Sequence, residues 1–91
     1  MNENSITLFH RINEDKDEAR FYLIQVGPSL LDKHAVLRMW GEIGGIQHHL
    51  VTPCTTAAEA RTLARRVAKQ RLRQGYTVVS LESSVQEERV C

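Results

Sequence analysis

Hydrophobic and polar residues alternate over much of the first half of the chain with the two-residue period of a β-strand. A β-branched and aromatic run at 21–26 is stopped by Gly27-Pro28, and Gly44-Gly45 supplies a turn between two later runs. Pro53 is predicted to end the last of them. The predicted strands are residues 5–12, 21–26, 35–43 and 46–52. Their short connections, including an acidic loop at 13–18, favour an antiparallel meander.

A single amphipathic helix is predicted after the fourth strand. Thr56 and Glu59 have the spacing of a capping box, and Gly75 stands where a C-terminal glycine stop belongs. The apolar residues recur on one side at helical spacing: Ala57, Ala60, Leu63, Ala64, Val67 and Ala68. Residues 76–81 read as a short fifth strand. The predicted fold class is therefore α+β, an antiparallel β-sheet of four to five strands with one long α-helix packed against it.

Length and composition predict one small globular domain over residues 1–81 and a disordered acidic tail over 82–91. Hydrophobic residues make up 42% and charged residues 25% of 91 residues, which is typical of a soluble domain. Two cysteines are too few for a disulfide scaffold, and neither a membrane-spanning stretch nor a signal peptide is evident. We therefore expect a cytoplasmic protein with no membrane partner.

The net charge of +1 hides an uneven distribution. Residues 19–81 contain nine Lys/Arg and three acidic residues, which gives this segment +6. Several of these cations recur along the predicted helix, four of them at every fourth position with one alongside: Arg61, Arg65, Lys69 and Arg73, with Arg66. Such a stripe is suited to a phosphate backbone, but exposed helix faces are also commonly basic for solubility alone.

Trp40 lies in the third predicted strand beside two glycines. If Leu37, Met39 and Ile43 point to the core, then Arg38, Trp40 and Glu42 point the other way, and the indole is at least partly accessible to solvent. Gly41 removes side-chain cover beside the ring, and Gly44 allows a turn to approach it. A lone tryptophan is more often a core residue, a bulge at Gly41 would reset the alternation, and a glycine-rich hairpin needs no ligand.

The order and spacing of several motifs resemble the WGR domain, over about residues 21–79. The matching positions are Tyr22, Trp40-Gly41-x-x-Gly44, Thr56, Glu59-Ala60, Arg71 and Gly75-Tyr76. The chain differs at Glu42, where the family triplet has Arg, at Cys54, where it has Phe, and at Ala64, where the helix has an aromatic residue. WGR domains occur alone in bacteria and as the DNA-end-sensing domain of some poly(ADP-ribose) polymerases. There the tryptophan packs against sugar at a DNA break and nearby basic residues hold phosphate.

The resemblance implies a stacking role for Trp40 but not the phosphate contact of the family arginine, because the Glu42 carboxylate repels phosphate. It implies a stand-alone bacterial type of module whose leading partner is DNA (an end or a nick) or RNA. The alternatives are a protein-interaction module that docks through the Trp40 face and an accessory subunit of a neighbouring enzyme. The candidate binding residues are Trp40, Gly41, Arg38, Glu42, Gly44, Arg61, Arg65, Arg66, Lys69 and Arg73.

Nothing in the sequence indicates a catalytic, metal or cofactor site. His48 and His49 are adjacent in a strand, so their side chains point to opposite faces and cannot chelate one ion together. Cys54 fits the role of a small buried hydrophobe. No phosphate loop, nucleophile elbow or paired-carboxylate motif is present, and no small-molecule substrate is evident. We therefore predict a binding module without enzymatic activity or cofactor.

Overall fold

A computed structural model describes residues 4–83, which form a five-stranded antiparallel sheet and one helix. The strand order is β4-β3-β2-β1-β5, so the first four strands form the predicted meander and β5 returns to pair with β1. The α+β class is confirmed. The elements are β1 (Ser5–Asn13), β2 (Glu18–Gly27), β3 (His34–Glu42), β4 (Gln47–Cys54), α1 (Ala57–Arg73) and β5 (Thr77–Ser83), with a 3-10 turn at Glu14–Lys16 between β1 and β2.

The bounds of all five strands differ from the predicted ones by one to three residues. The loop predicted at 13–18 is only a tight turn, because Asn13 accepts a hydrogen bond from the Asp15 N–H and Asp17 adopts the left-handed conformation. β4 continues through Pro53 to Cys54. It is an edge strand, where a residue without an N–H is tolerated. β5 includes the first two residues of the predicted acidic tail, and residues 84–91 of that tail lie outside the described residues.

Both ends of α1 are closed by the predicted signals. The Thr56 hydroxyl accepts a hydrogen bond from the Glu59 N–H at 3.1 Å, and the Glu59 carboxylate accepts one from the Thr55 N–H. At the other end the Tyr76 N–H donates to the Arg71 carbonyl and the Gly75 N–H donates to that of Leu72. This pattern is a Schellman motif, and it requires the left-handed φ of 92° that Gly75 adopts. The caps therefore limit α1 to 17 residues.

The core lies between α1 and the face of the sheet that it covers. Ala60 and Val67 of the helix join the buried strand residues, which are Phe9, Tyr22, Ile24, Val26 and Val36, together with Tyr76. Directly paired residues of neighbouring strands lie on the same face of the sheet. Tyr22, Ile24 and Val26 of β2 face the helix, so their partners in β3, which are Trp40, Arg38 and Val36, lie on the helix side as well.

The sequence analysis therefore assigned the side chains of β3 to the wrong faces of the sheet. Leu37 and Met39 lie on the sheet face opposite the helix, and Ile43 is exposed in the turn beyond β3. Trp40 packs against the core. The pattern was misleading because the face with Leu37 and Met39 is the more apolar one, while Arg38 and Glu42 interrupt the apolar residues on the helix side. An alternation pattern cannot identify which face the helix will cover.

Candidate functional site

Trp40 stands at the outer part of a row of aromatic rings that crosses three strands. The cross-strand pairs Tyr22–Trp40 and Trp40–His48 set the rings side by side. The Trp40 indole stacks on Tyr22 and on His48, with ring centroids 5.8 Å apart in both pairs. Tyr76 meets the far side of Tyr22 edge-on at 6.2 Å. The row thus runs from the core to the surface.

Solvent exposure increases along this row. Tyr22 and Tyr76 are buried, Trp40 is half-buried, and His48 is exposed. The predicted partial accessibility of the indole is confirmed, although for a different reason. Trp40 is half-exposed because it lies beside the helix at the margin of the core, and not because it faces away from the core.

Two guanidinium groups lie on the buried end of the row. The Arg71 guanidinium carbon is 4.7 Å from the centre of the Tyr22 ring, and that of Arg11 is 5.0 Å from the centre of the Tyr76 ring. Arg11 also donates to the Gln74 carbonyl at 3.0 Å, which ties β1 to the C-terminal end of α1. These cations therefore have a structural role in addition to their charge.

An ion pair lies on the same face, at the start of β2. Arg20 donates to the Glu18 carboxylate at 2.8 Å and Arg11 donates to it at 3.3 Å. The hydrogen bond from Arg20 is the main cause that holds the pKa of Glu18 below its ordinary value. The same bond raises the pKa of Arg20, and the nearby carboxylate of Glu42 adds a small contribution. Both groups are charged at neutral pH.

Gly41 permits the tight hairpin that follows Trp40. Its φ is 153°, and a Cβ atom at this position would collide with the backbone carbonyl oxygen of Ile46 across the hairpin. The Glu42 N–H donates to that same carbonyl at 3.3 Å. Gly44 lies exposed in the turn itself. These two residues therefore set the path of the backbone and contribute no binding group.

Arg38 and Glu42 share the helix-side face with Trp40 but differ in their surroundings. Arg38 is half-buried and donates to the Thr52 hydroxyl at 3.2 Å, while its Nε has no partner among the described residues. Glu42 is exposed at the end of β3, directly opposite Arg20 in the sheet. A ligand beside Trp40 would thus meet one cation and one anion from β3.

The structure divides the basic stripe of α1 between two sides of the helix. Arg66 lines a cleft of about 310 Å³ together with Thr52 and Cys54 of β4, so it lies on the β4 side. Arg73 follows Arg66 by seven residues, about two turns, and falls on the same side. Both arginines are therefore on the flank of α1 that faces β4. Arg66 lies beside Thr52 and Cys54, and Arg73 is two residues beyond Arg71, which lies over Tyr22 of the aromatic row.

The remaining stripe residues point elsewhere. Because a helix turns by about 100° per residue, Arg61 and Arg65 fall on the opposite side of the buried line through Ala60 and Val67. Lys69 falls on the outward side. Arg65 and Lys69 are exposed, whereas Arg61 is half-buried and has an interaction partner. The predicted stripe is therefore not one surface: only Arg66 and Arg73 are on the flank that faces β4.

The residues suspected of other chemistry are arranged as follows. His48 pairs with Trp40 and His49 with Met39, which confirms that the two imidazoles are on opposite faces. Burial raises the pKa of the half-buried Cys54 thiol, and Glu59 contributes to the same shift, so the thiolate is disfavoured. Among residues 4–83 no group of three or more His, Cys, Asp or Glu side chains could hold a metal ion. No helix in that range is long and apolar enough to span a membrane.

Three residues at this surface were not predicted as site residues from the sequence: Tyr22, His48 and Arg71. Tyr22 and Arg71 occupy positions of the WGR pattern, and that match was the only signal pointing to them. His48 joins the site because of the β3–β4 register, which pairs it with Trp40. A hairpin register counted outward from the Gly44-Gly45 turn would have identified it.

Comparison with known proteins agrees with the resemblance seen in the sequence. The WGR domain model matches residues 6–83, which is nearly the whole chain. No curated protein matches the chain significantly. No solved structure does so either. Because the match runs from β1 to the end of β5, the chain belongs to the WGR domain family.

Proposed function

We propose that this protein is a non-catalytic nucleic-acid-binding module whose leading partner is DNA. The contact surface is the exposed end of the aromatic row, Trp40 and His48, extended by Arg73 and Arg66 along the flank of α1 that faces β4. The observation that carries the proposal is the half-buried indole, held between Tyr22 and His48 at 5.8 Å and left accessible at the margin of the helix. Family membership supports it, because WGR domains of poly(ADP-ribose) polymerases bind DNA.

The chemistry of this surface suits a sugar or base at an exposed position of a nucleic acid. Because Tyr22 and His48 cover the two faces of the indole, the ring surface left for a base is the outer face of the exposed His48 imidazole, with the edge of the indole beside it. Base stacking on such a ring is worth about 1–3 kcal/mol and needs no particular sequence. Tyr22 and His48 hold the indole on both sides, so little side-chain entropy is lost on binding. Exposed arginines on the adjacent helix flank supply charge for the phosphates.

Glu42 weakens the phosphate part of this function. Its carboxylate is exposed beside Trp40 and faces Arg20, so it repels phosphate and also offsets a cation that would attract it. We therefore propose general, salt-dependent binding, with the phosphate contacts supplied by α1 and not by the position that carries Arg in the family triplet.

The second candidate is a protein-interaction module or an accessory subunit of an enzyme. The exposed Glu42 carboxylate favours it, because an anion next to an accessible tryptophan suits a basic segment of another protein better than a polyanion. In that case the aromatic row would take an apolar side chain, and Glu42 would pair with a lysine or arginine of the partner.

The two candidates are distinguished by fluorescence anisotropy with labelled blunt duplex, nicked duplex and single-stranded DNA, each measured over a series of salt concentrations. We expect the logarithm of the association constant to fall with the logarithm of the salt concentration by about 0.9 for each phosphate contacted on duplex DNA. Arg73→Ala should reduce this slope by about one unit.

Arg65→Ala is the matched control, since Arg65 is an equally exposed arginine of the same helix on the opposite flank. It should leave the slope unchanged. Equal losses from both substitutions would show that the cations act only through their total charge, and the proposed contact surface would be wrong. No measurable binding to any of the three DNA forms at low salt would favour the protein-partner candidate.

A further inference from the structure

The sheet face opposite α1 is a broad apolar surface. Two rows of paired residues cross it: Leu8, Leu23 and Met39 with His49 in one, and Ile6, Leu37 and Val51 with Gln25 in the other. We call this surface the open face. Ile6 and Val51 are 38% and 43% exposed, and the other four apolar residues are half-buried. Within residues 4–83 the only α-helix packs on the other side, against β2, β3 and β4.

A loop with two fully exposed leucines adjoins the open face. Pro28 and Ser29 line a cleft of about 100 Å³ with Gln25, Leu37 and Val51, which places the start of the loop at the edge of this face. Leu30 and Leu31, which follow in the loop, are 103% and 93% exposed.

The loop is held in a defined shape by Ser29. The Ser29 hydroxyl donates to the Asp32 carboxylate and accepts from the N–H groups of Leu31 and Asp32, at 2.9 to 3.2 Å. Two leucines fixed in full contact with water are unfavourable in an isolated molecule, because neither gains the free energy of burying its apolar side chain.

The charges of the molecule lie on the other side. Arg11, Glu18, Arg20 and Arg38 all belong to the helix-side face of the sheet. Across the two rows of the open face the only charged residue is Glu82, opposite Ile6 on the edge strand β5. A polyanion therefore has nothing to bind on the open face, whereas an apolar protein surface does.

We infer that the open face is the interface of a homodimer, in which the open faces of two copies pack together and Leu30 and Leu31 of each copy contact the other. A twofold interface sets the same patch against itself, so it must be self-complementary. The apolar central strands of the open face meet this condition, since its one carboxylate, Glu82, lies on the edge strand β5. Each chain carries both halves of this contact: its leucines project onto the open face of the other copy, and its own open face receives the leucines of that copy.

The size of the face agrees with this assignment. Five strands about 4.8 Å apart, each about 26 Å long, give a surface on the order of 600 Å² before side-chain relief and the loop are added. A standard specific interface buries about 800 Å² per partner. Sheets that pack face to face in this way are a common way to form an apolar core.

Such a dimer leaves both Trp40 surfaces free. The helix-side faces of the two copies point away from each other when the open faces meet. The dimer would therefore present two identical binding surfaces on opposite sides, and two weak contacts with one partner would combine into a stronger one.

Sedimentation velocity of the full chain over a range of concentrations tests the inference. The wild type should sediment as a dimer in reversible equilibrium with monomer. The double substitution Leu30→Ser, Leu31→Ser should weaken dimerisation about tenfold or more. It should leave the monomer folded, because both side chains are already exposed. Val51→Lys should have a similar or larger effect, by bringing like charges into the interface.

Leu50→Lys is the matched control. Leu50 is the neighbour of Val51 in β4 and is 45% exposed, but it lies on the helix side, opposite Arg38. It should leave the dimer intact. Circular dichroism checks that Val51→Lys folds. If it does not, the wild type is tested instead, by measuring nuclear Overhauser contacts between labelled and unlabelled protomers at the methyl groups of Met39 and Leu37. A wild type that is monomeric at every concentration overturns the inference. So does a dimer that persists in the leucine variant or in Val51→Lys. A wild-type dimer that lacks the methyl contacts overturns it as well.

Discussion

At the residue scale, Trp40 combines two roles that are usually separate. One face of the indole packs on Tyr22 of the core and the other on His48, so the part of the ring that remains available is its edge. Removing this side chain would therefore lower stability as well as binding, so a Trp40→Ala variant cannot isolate its function. Residues around it that have no packing role are better probes, and Glu42 is one of them because it is exposed.

The substitution Glu42→Arg tests the electrostatics of the Trp40 surface. The substitution removes a carboxylate that repels phosphate and that attracts Arg20. It also restores the Trp-Gly-Arg triplet of the family. We expect the dissociation constant for duplex DNA to fall by about fivefold or more at low salt, the size of one charge-assisted contact. Anisotropy titrations measure it. Glu42→Gln, which only removes the negative charge, should give a smaller gain.

An unchanged affinity in Glu42→Arg would contradict a phosphate path along this side of Trp40. Weaker binding to a basic peptide or protein by the same variant would instead support the protein-partner candidate, because the carboxylate would then be the attractive group.

At the element scale, α1 is held at its ends by local hydrogen bonds and along its length by few large side chains. Its buried residues are Ala60 and Val67, both small, and Arg71 reaches the core only by lying over the Tyr22 ring. A helix with so little apolar area relies more than usual on its caps. Changes at the caps should therefore be visible in the stability of the whole domain.

Thr56→Ala should lower the free energy of unfolding by about 0.5–2 kcal/mol, because the Glu59 N–H loses its acceptor. Urea denaturation followed by circular dichroism measures this change. Thr62→Ala is the matched control: Thr62 is an exposed threonine inside the same helix, and its replacement should change stability by less than about 0.5 kcal/mol. Equal effects at the two positions would mean that the Thr56 cap contributes nothing specific.

At the scale of the whole molecule, the sheet has one charged, aromatic face and one neutral, apolar face. The first includes the helix, the arginines and the Trp40 row, and in the two rows of the second the only carboxylate is Glu82, on the edge strand β5. Nucleic acid and a second protomer would therefore occupy opposite faces without competing.

Titration of isotope-labelled protein with duplex DNA should separate the two faces. We expect the Trp40 indole N–H and the backbone amides of Arg66 and Arg73 to shift in nuclear magnetic resonance spectra. The methyl groups of Met39 and Val51, on the open face, should stay in place and serve as the internal control. The reverse pattern, with shifts confined to the open face, would place the polyanion on the wrong side of the sheet for the proposed function.

Local signals in the sequence determined the elements and their order. The capping residues around Thr56, the Gly75 stop and the alternating strands needed no tertiary contact to be interpreted, because capping and turn geometry depend on neighbours in the chain. The four-strand meander followed from short connections. The WGR pattern in turn linked Trp40 to Tyr22, Arg71 and Tyr76, which the fold does bring together.

Only the tertiary structure decided which face of the sheet is covered and which cations meet Trp40. The face of β3 with Leu37 and Met39 is more apolar than its helix side, so the alternation gave the wrong side for these two residues. The position of α1 settles that question, and it depends on distant parts of the chain. The stripe on α1 divides for the same reason, since a spacing of four residues drifts by about 40° around the helix. Over three such steps the drift carries the cations from one flank, at Arg61, to the other, at Arg73. Which flank faces the aromatic row is fixed by the packing of Ala60 and Val67 against the sheet.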